Sequence, residues 1–340
     1  GRLVAEHLLR TYGVDGDVRW AMAGRDREKL KQVAIEIGAP MNTPLIEAKT
    51  SDSGAMDALA HRARVIITTV GPYQKYGEPL LAACARNGTD YIDLCGEPNW
   101  MAAMIEKYEA AAKQSGARIV FSGGFDSIPF DCGVWFVQQE ALKRFGAPAR
   151  SVRGRMRKIK GTFSGGTMAS MLATFDAMKR DPGLAERMSD PFALSPSRLV
   201  AQPSGDGVIH EEDIPSWSAP FVMAAINTRN VHRSNLLLQH AYGTDFVYDE
   251  MMITGPGEKG EAIANAVAGD KSLGSDKGPK PGEGPSREER ENGFYEDAVA
   301  RISLPDALGG EGVSRSLTTL LLSSAFRSRL LKQANRAAEK

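Results

Sequence analysis

Four short stretches of this 340-residue chain carry residue types that could do chemistry on a bound ligand. They are VGPYQKY at 70–76, DLCGE at 93–97, GGFDSIP at 123–129 and AGR at 23–25. Each follows an apolar or β-branched run. The Gly71-Pro72 turn offers bare main chain, which lets a flat or phosphate-bearing ligand approach closely. Tyr73, Gln74, Lys75 and Tyr76 add polar groups at its mouth, and Asp93, Glu97 and Asp126 add carboxylates. At 23–25 the chemistry is cationic. Dinucleotide folds that select NAD place a carboxylate there for the ribose 2′-hydroxyl. Here no carboxylate stands at 23–25, and Arg25 follows Gly24 at once. A guanidinium in that place holds a 2′-phosphate in a fork of hydrogen bonds, so NADP is favoured over NAD. Plainer alternatives exist for each residue. Arg25 could be a surface side chain in a turn, Asp93 a turn cap, Glu97 a support for a helix N-terminus and Asp126 an Asx turn.

The elements that must position these turns follow from the apolar pattern. The run 65–70 (VIITTV) shows no polar alternation, as expected of a strand buried on both faces of a parallel sheet. Further short strands are expected at 18–23, 45–48, 91–94 and 117–121. Helices alternate with them. The first carries Ala5, Leu8, Leu9 and Tyr12 on one face; the second is capped by Asp26 and buries Leu30, Val33, Ala34 and Ile37. Two more are expected at 78–87 and 98–114. This rhythm is that of βαβ units in a doubly wound parallel sheet. Ligands bind such sheets outside the carboxyl ends of the strands, where three of the four stretches are expected to share one edge. Gly1 stands where the last glycine of a dinucleotide-binding turn would stand, with no strand ahead of it. The expectation is that the fold's first strand is missing. The strands at 18–23 and 65–70 would then be left with unpaired edges, and these residues alone would be poorly stable and bind NADPH weakly.

After residue 121 the rhythm changes. A helix is expected at 132–145. The run 151–160 alternates, with Val152, Gly154, Met156 and Lys158 facing one way and Arg153, Arg155, Arg157 and Ile159 the other. That reads as an antiparallel strand with a basic outer face. A Gly-rich loop at 161–167 precedes a helix expected to bury Met168, Met171, Leu172 and Phe175. The stretch 181–219 reads as a long loop with a short helix near 184–188. A helix at 227–242, a strand at 245–254, a mobile Gly/Pro/Lys-rich stretch at 269–285, a strand at 294–303 and a terminal helix at 317–334 complete the reading. That last helix is basic enough to touch a membrane surface, though ordinary packing accounts for it as well.

Composition narrows the function. Lys+Arg and Asp+Glu are both 42, so the formal net charge is zero, which argues against nucleic acid as the main partner. Cys84, Cys95 and Cys132 show no C-x-x-C spacing and fit a reducing, cytoplasmic setting. The five histidines show no metal-ligand spacing, so no metal is expected. No apolar run approaches the ~18 residues of a membrane span.

Several stretches resemble one family: TTVGPYQKYG, YIDLCGEPNWM, GARIVFSGGFDSIPFDCGVW, KGTFSGGTMASM, INTRNVHRSN and KPGEGPSREERENGFY. Together they resemble the saccharopine dehydrogenase-like proteins of the trans-acting enoyl reductase subfamily, from Gly1 to about Tyr295. The resemblance implies a Rossmann-type NADP-binding domain at 1–130 and an α+β substrate domain with an antiparallel sheet at 131–310; the residue pattern adds a C-terminal helical segment at 311–340. It implies NADP held at Gly1, Gly24, Arg25, Thr69, Val70, Gly71, Pro72 and Tyr73. It also implies reduction of a C=C bond in a lipid or polyketide intermediate carried by a separate polyketide or fatty-acid synthase. Tyr73 and Asp126 are the candidates for electrophile and acid. Three departures stand out: the first strand and the first two motif glycines are missing, Lys49 replaces the Asp that many relatives have beside the adenine, and the pattern fades after Tyr295. Two other functions stay open. One is imine reduction of the saccharopine type, with Arg153, Arg155 or Arg157 holding substrate carboxylates. The other is a non-catalytic NADP-binding scaffold of lipid metabolism.

Overall fold

The computed structural model describes residues 1–160, 163–196, 200–212, 214–270, 279–280, 283–286, 288–289, 294–298, 300–303 and 315–317. The chain divides into two compact units, Gly1–Gly123 and Gly124–Lys340.

In the first unit, helices and short strands alternate: α1 (Arg2–Tyr12), β1 (Met22–Gly24), α2 (Arg27–Glu36), β2 (Leu45–Glu47), α3 (Ser53–His61), β3 (Val65–Ile67), α4 (Tyr73–Tyr76), α5 (Glu78–Asn87), β4 (Asp90–Ile92), α6 (Pro98–Ser115) and β5 (Ile119–Val120). Side-chain caps set the helix starts. Asp26 accepts from the Lys29 amide at 3.1 Å and Asp52 from the Ala55 amide at 3.0 Å, each satisfying an otherwise orphaned N–H. The stripe of α2 meets α1 and β1 in a small core of Ala5, Met22 and Ala34, flanked by Leu30, Val33 and Ile37. Helix α5 is buried all round at 80–85, because α3, α6 and β4 pack about it.

All strand pairs in this unit are parallel: β1 with β2, and β3 with β4 with β5. These form two separate sheets; among the described residues β1 and β3 do not pair with each other. The expected two-sided burial of the 65–70 run is corrected. Val65 is 44% and Ile67 50% exposed, and Val70 is exposed too. The register places Val65, Ile67, Ile92 and Val120 on one face of the sheet, and Ile66, Tyr91 and Ile119 on the other. Tyr91 is fully buried, so only the second face is well covered. An apolar run signals that a strand can be buried; the covering layer decides whether it is. The first helix is corrected likewise: Ala5 is buried but Tyr12 is exposed.

The second unit contains α7 (Ile128–Phe145), β6 (Ser151–Lys160), α8 (Gly165–Arg180), α9 (Pro182–Ser189), β7 (Ile209–Glu211), β8 (Ser216–Pro220), α10 (Ala224–Leu237), β9 (Val247–Gly255), α11 (Gly257–Gly269), β10 (Phe294–Ala298), β11 (Ala300–Ser303) and β12 (Arg315–Leu317). Its sheet runs β12-β11-β6-β9-β8-β7, with β10 also on β6. Strand β6 is central, antiparallel to β10 and β11 and parallel to β9. A core of Val134, Val137, Ala141, Val152, Val231, Tyr242, Phe246 and Tyr248 joins α7 and α10 to the sheet.

The basic outer face expected of β6 is corrected at its centre. Arg155 is 1% exposed. Its Nε donates to Glu211 and its Nη1 pairs with Asp249 at 2.8 Å. Strands β7 and β8 lie in the stretch read as loop. Of their four buried residues, Glu211, Ser216 and Ser218 are polar and only Ala219 is apolar. Ser218 donates to the same Glu211 carboxylate at 2.8 Å. A strand that buries polar groups against an arginine shows no apolar alternation, which is why the sequence hides it. Helix α8 buries Met168, Ala173 and Thr174 and leaves Phe175 exposed, contrary to the expected stripe. Most of 269–285 and all of 318–340 lie outside the described residues, so the mobile stretch and the terminal helix expected there do too.

Candidate functional site

The turns at the carboxyl ends of β3, β4 and β5 are knit together by two buried carboxylates. Glu97 is 0% exposed. One of its oxygens accepts from the Tyr73 amide at 2.8 Å and the other from the Gln74 amide at 2.9 Å. Glu97 thereby caps α4, which no side chain of its own N-cap serves. Asp93 accepts from the Cys95 and Ser122 amides, both at 2.9 Å, and from the Tyr91 hydroxyl at 3.0 Å. Burial pushes the Asp93 carboxyl up to about 6, against the pull of those donors. Ser122, at φ 52°, donates from Oγ to Cys95 O at 2.6 Å. Gly123 closes the knot: its amide donates to Asp93 O at 2.6 Å, and a Cβ there would stand 2.6 Å from Ile92 Cγ2.

Tyr73 belongs to this knot. It is 3% exposed and stacks near Trp100, with centroids 5.6 Å apart. Its hydroxyl donates to Thr68 O at 3.2 Å and receives the Leu94 amide at 3.3 Å. Burial, reinforced by the nearby Asp93 charge, raises the phenol well above its ordinary value. Thr69, Gly71 and Pro72 are only half-buried and Val70 is exposed, so the turn just ahead of Tyr73 is the part open to a ligand. The Gly71-Pro72 peptide is cis.

Two further features of the first unit suit a dinucleotide. Gly1 is the N-cap of α1, and no side chain caps that helix. A Cβ on Gly1 would lie 3.4 Å from Thr69 Oγ1, so the start of α1 sits beside the turn after β3. Uncapped first-turn amides suit a phosphate. Arg25, at the end of β1, is exposed and has no hydrogen-bond or ion-pair partner among the described residues. Its neighbour Gly24 is tied to β2, its carbonyl accepting from Ala48 N at 2.9 Å. These residues fit a phosphorylated dinucleotide. Asp126 lies in the second unit, half-buried; burial raises its carboxyl above the usual range. Its main-chain carbonyl accepts from Asn227 Nδ2 at 3.1 Å.

The structure thus brings Gly1 and Thr69 together, leaves Arg25 free at its strand end, and commits the Tyr73 hydroxyl to main-chain groups. Sequence reasoning placed no role on Asn227 or Glu250. The available signal was two consecutive acids in the YDEMM strand, at positions where a sheet residue is expected to be apolar. Among the described residues no helix is long and apolar enough to cross a membrane.

The saccharopine dehydrogenase NADP binding domain family matches residues 1–120. A Mycobacterium tuberculosis protein classed with the trans-acting enoyl reductases is 39% identical over 325 residues, covering 87% of this chain and 76% of that protein. The trans-acting enoyl reductase of Mycobacterium bovis is 36% identical over 322 residues, with the same two coverages. Among solved structures, apo saccharopine dehydrogenase (L-Glu forming) from Saccharomyces cerevisiae aligns at a TM-score of 0.39 and 17% identity, covering 51% of this chain and 38% of that chain. Identity at the level of the mycobacterial proteins, over most of both chains, makes this protein a nicotinamide-dependent oxidoreductase: it belongs to the saccharopine dehydrogenase-like family, in its trans-acting enoyl reductase branch.

Proposed function

We propose that the chain uses NADPH to reduce a C=C bond conjugated to a carbonyl, in a lipid or polyketide intermediate carried by a separate synthase. The observation that carries the cofactor reading is the exposed, unpaired Arg25 guanidinium at the end of β1, where a carboxylate would select NAD. The kinship with proteins named trans-acting enoyl reductases supports the reaction class and the separate synthase.

In this reading Arg25 holds the 2′-phosphate, and the first-turn amides of α1 after Gly1 meet the pyrophosphate. Gly24 gives the main chain room beside the adenosine ribose, and Thr69, Val70, Gly71 and Pro72 line the nicotinamide ribose. Tyr73 and Glu97 hold that turn in place rather than touching the reacting atoms. The bound cofactor supplies a hydride to the β-carbon of the enoyl group. Asp126 is the proposed acid for the α-carbon, its carboxyl favoured in the protonated form by burial. The imine-reducing alternative loses one of its three candidate carboxylate ligands, because Arg155 is already committed to Glu211 and Asp249.

The test is NADPH consumption by the purified chain with trans-2-enoyl thioesters. Oxidation that depends on the enoyl group, with a saturated thioester as product, is expected. NADPH binding without any turnover on enoyl thioesters, alone or with a partner synthase, would favour the scaffold reading.

A further inference from the structure

Motifs that the sequence singles out separately meet at one side chain in the second unit. Asn227, from INTRNVHRSN, is buried on α10. Its Nδ2 donates to the Asp126 carbonyl at 3.1 Å and to Glu250 Oε1 at 2.8 Å. The carbonyl can only accept, so the amide has one workable orientation, with NH2 toward Asp126. That leaves Asn227 Oδ1 buried with no partner among the described residues. Glu250 is itself buried on β9, and its second oxygen accepts from the Tyr248 hydroxyl at 2.8 Å. Strand β6 presses on this pair from the side: a Cβ at Gly154 would lie 2.9 Å from the Tyr248 hydroxyl oxygen and 3.3 Å from Glu250 Cγ. Only glycine fits at 154 beside the brace behind Asn227.

At the other end, the half-buried Asp126 carboxyl is one methylene removed from the main chain that Asn227 holds, so fixing that main chain limits where the carboxyl can stand. The turn around it is closed by the Ser127 and Ile128 amides, which donate to Gly124 O at 3.3 and 3.0 Å. The Asp126 carbonyl points away from that closure to Asn227. Two helical turns further along α10, on the same face, Ser234 Oγ donates to Asp131 Oδ2 at 2.8 Å. One face of α10 thus grips the chain at both 126 and 131.

We propose that Asn227, braced by Glu250, is a positioning residue that holds the 124–127 turn so that the Asp126 carboxyl stands in one productive place. This rests on the reading of Asp126 as the acid. It predicts that α10 sets proton delivery from Asp126.

The test compares Asn227→Ala, Asn227→Asp, Glu250→Ala and Glu250→Gln in the full chain, by hydrogen–deuterium exchange over 124–131 and by kinetics with NADPH and an enoyl thioester. Asn227→Asp is isosteric but has no N–H for the Asp126 carbonyl, so it keeps the test alive if the alanine variant does not fold. Both Asn227 variants and Glu250→Ala are expected to raise exchange at 124–131 and to lower kcat by about tenfold, with the KM for NADPH little changed. Glu250→Gln keeps a carbonyl acceptor for Asn227 and is expected to restore both readings. Unchanged exchange at 124–131 in Asn227→Asp and Glu250→Ala overturns the proposal. So does a rise in the KM for NADPH equal to the fall in kcat, or a Glu250→Gln variant as impaired as Glu250→Ala. If the unaltered chain turns over no enoyl thioester, the reduction reading fails, while the exchange arm still decides whether Asn227 holds the turn.

Discussion

The two oxygens of the Glu97 carboxylate are taken by consecutive main-chain amides, Tyr73 at 2.8 Å and Gln74 at 2.9 Å. A residue 24 positions away therefore decides how the chain leaves β3. Replacing Glu97 with Ala would take the carboxylate from the buried Tyr73 N–H and the half-buried Gln74 N–H, at a cost of about 1–3 kcal/mol for the buried group. The expected outcome is a lower melting temperature by calorimetry and weaker NADPH binding, with Glu97→Gln falling between the two. A Glu97→Ala variant as stable as the parent would show that water replaces the carboxylate at no cost.

Arg25→Ala should weaken NADPH far more than NADH. A charge-assisted fork to the 2′-phosphate is worth about 1–3 kcal/mol, and NADH has no group to lose it. Fluorescence titration with both cofactors reads the difference directly. Equal weakening of the two, or none, would move the 2′-phosphate away from Arg25.

Tyr73→Phe separates a positioning role from an acid's role. The ring stays buried against Trp100, and the variant loses only the bonds to Thr68 O and Leu94 N, about 1 kcal/mol of stability. Turnover is expected to fall by no more than a few-fold, with its pH profile unchanged. A fall of about a hundredfold or more, with loss of one limb of the profile, would make the phenol the proton donor after all.

Glu250 gives the fold a pH dependence. Burial pushes its carboxyl up to about 8 from an ordinary 4.5, with Asp249 adding to the rise and the Asn227 and Tyr248 bonds and Arg155 opposing it. A folded-state pKa above the unfolded value means the folded form holds the proton more tightly. The contribution is complete below about pH 4.5 and is lost as pH rises towards 8. Glu250→Gln removes that loss. Its melting temperature should exceed the parent's at about pH 8.5, by up to about 4 kcal/mol in stability, and most of the gap should close by about pH 5. A gap that does not change with pH would mean that Glu250 does not titrate in this range.

The alternation of helices and parallel strands, the cap at Asp26, the bounds of α5, the family and the bare arginine at the end of β1 were all legible in the amino-acid sequence. These are local properties. Apolar spacing, a capping side chain before a helix and a missing carboxylate after a strand can each be read within a dozen residues. What the polar residues do was settled by the folded chain. Arg155 reads as an exposed strand residue until Glu211, 56 positions on, folds beside it. The Tyr73 hydroxyl reads as a reactive group until the ends of β3 and β4 enclose it. Val65 and Ile67 read as core, yet the face they share stays open. Asn227 joins Asp126 across 101 residues of chain. A buried polar group is tolerable only when its partners arrive together. Those partners come from distant strands, so no pattern local to either residue can announce the pair.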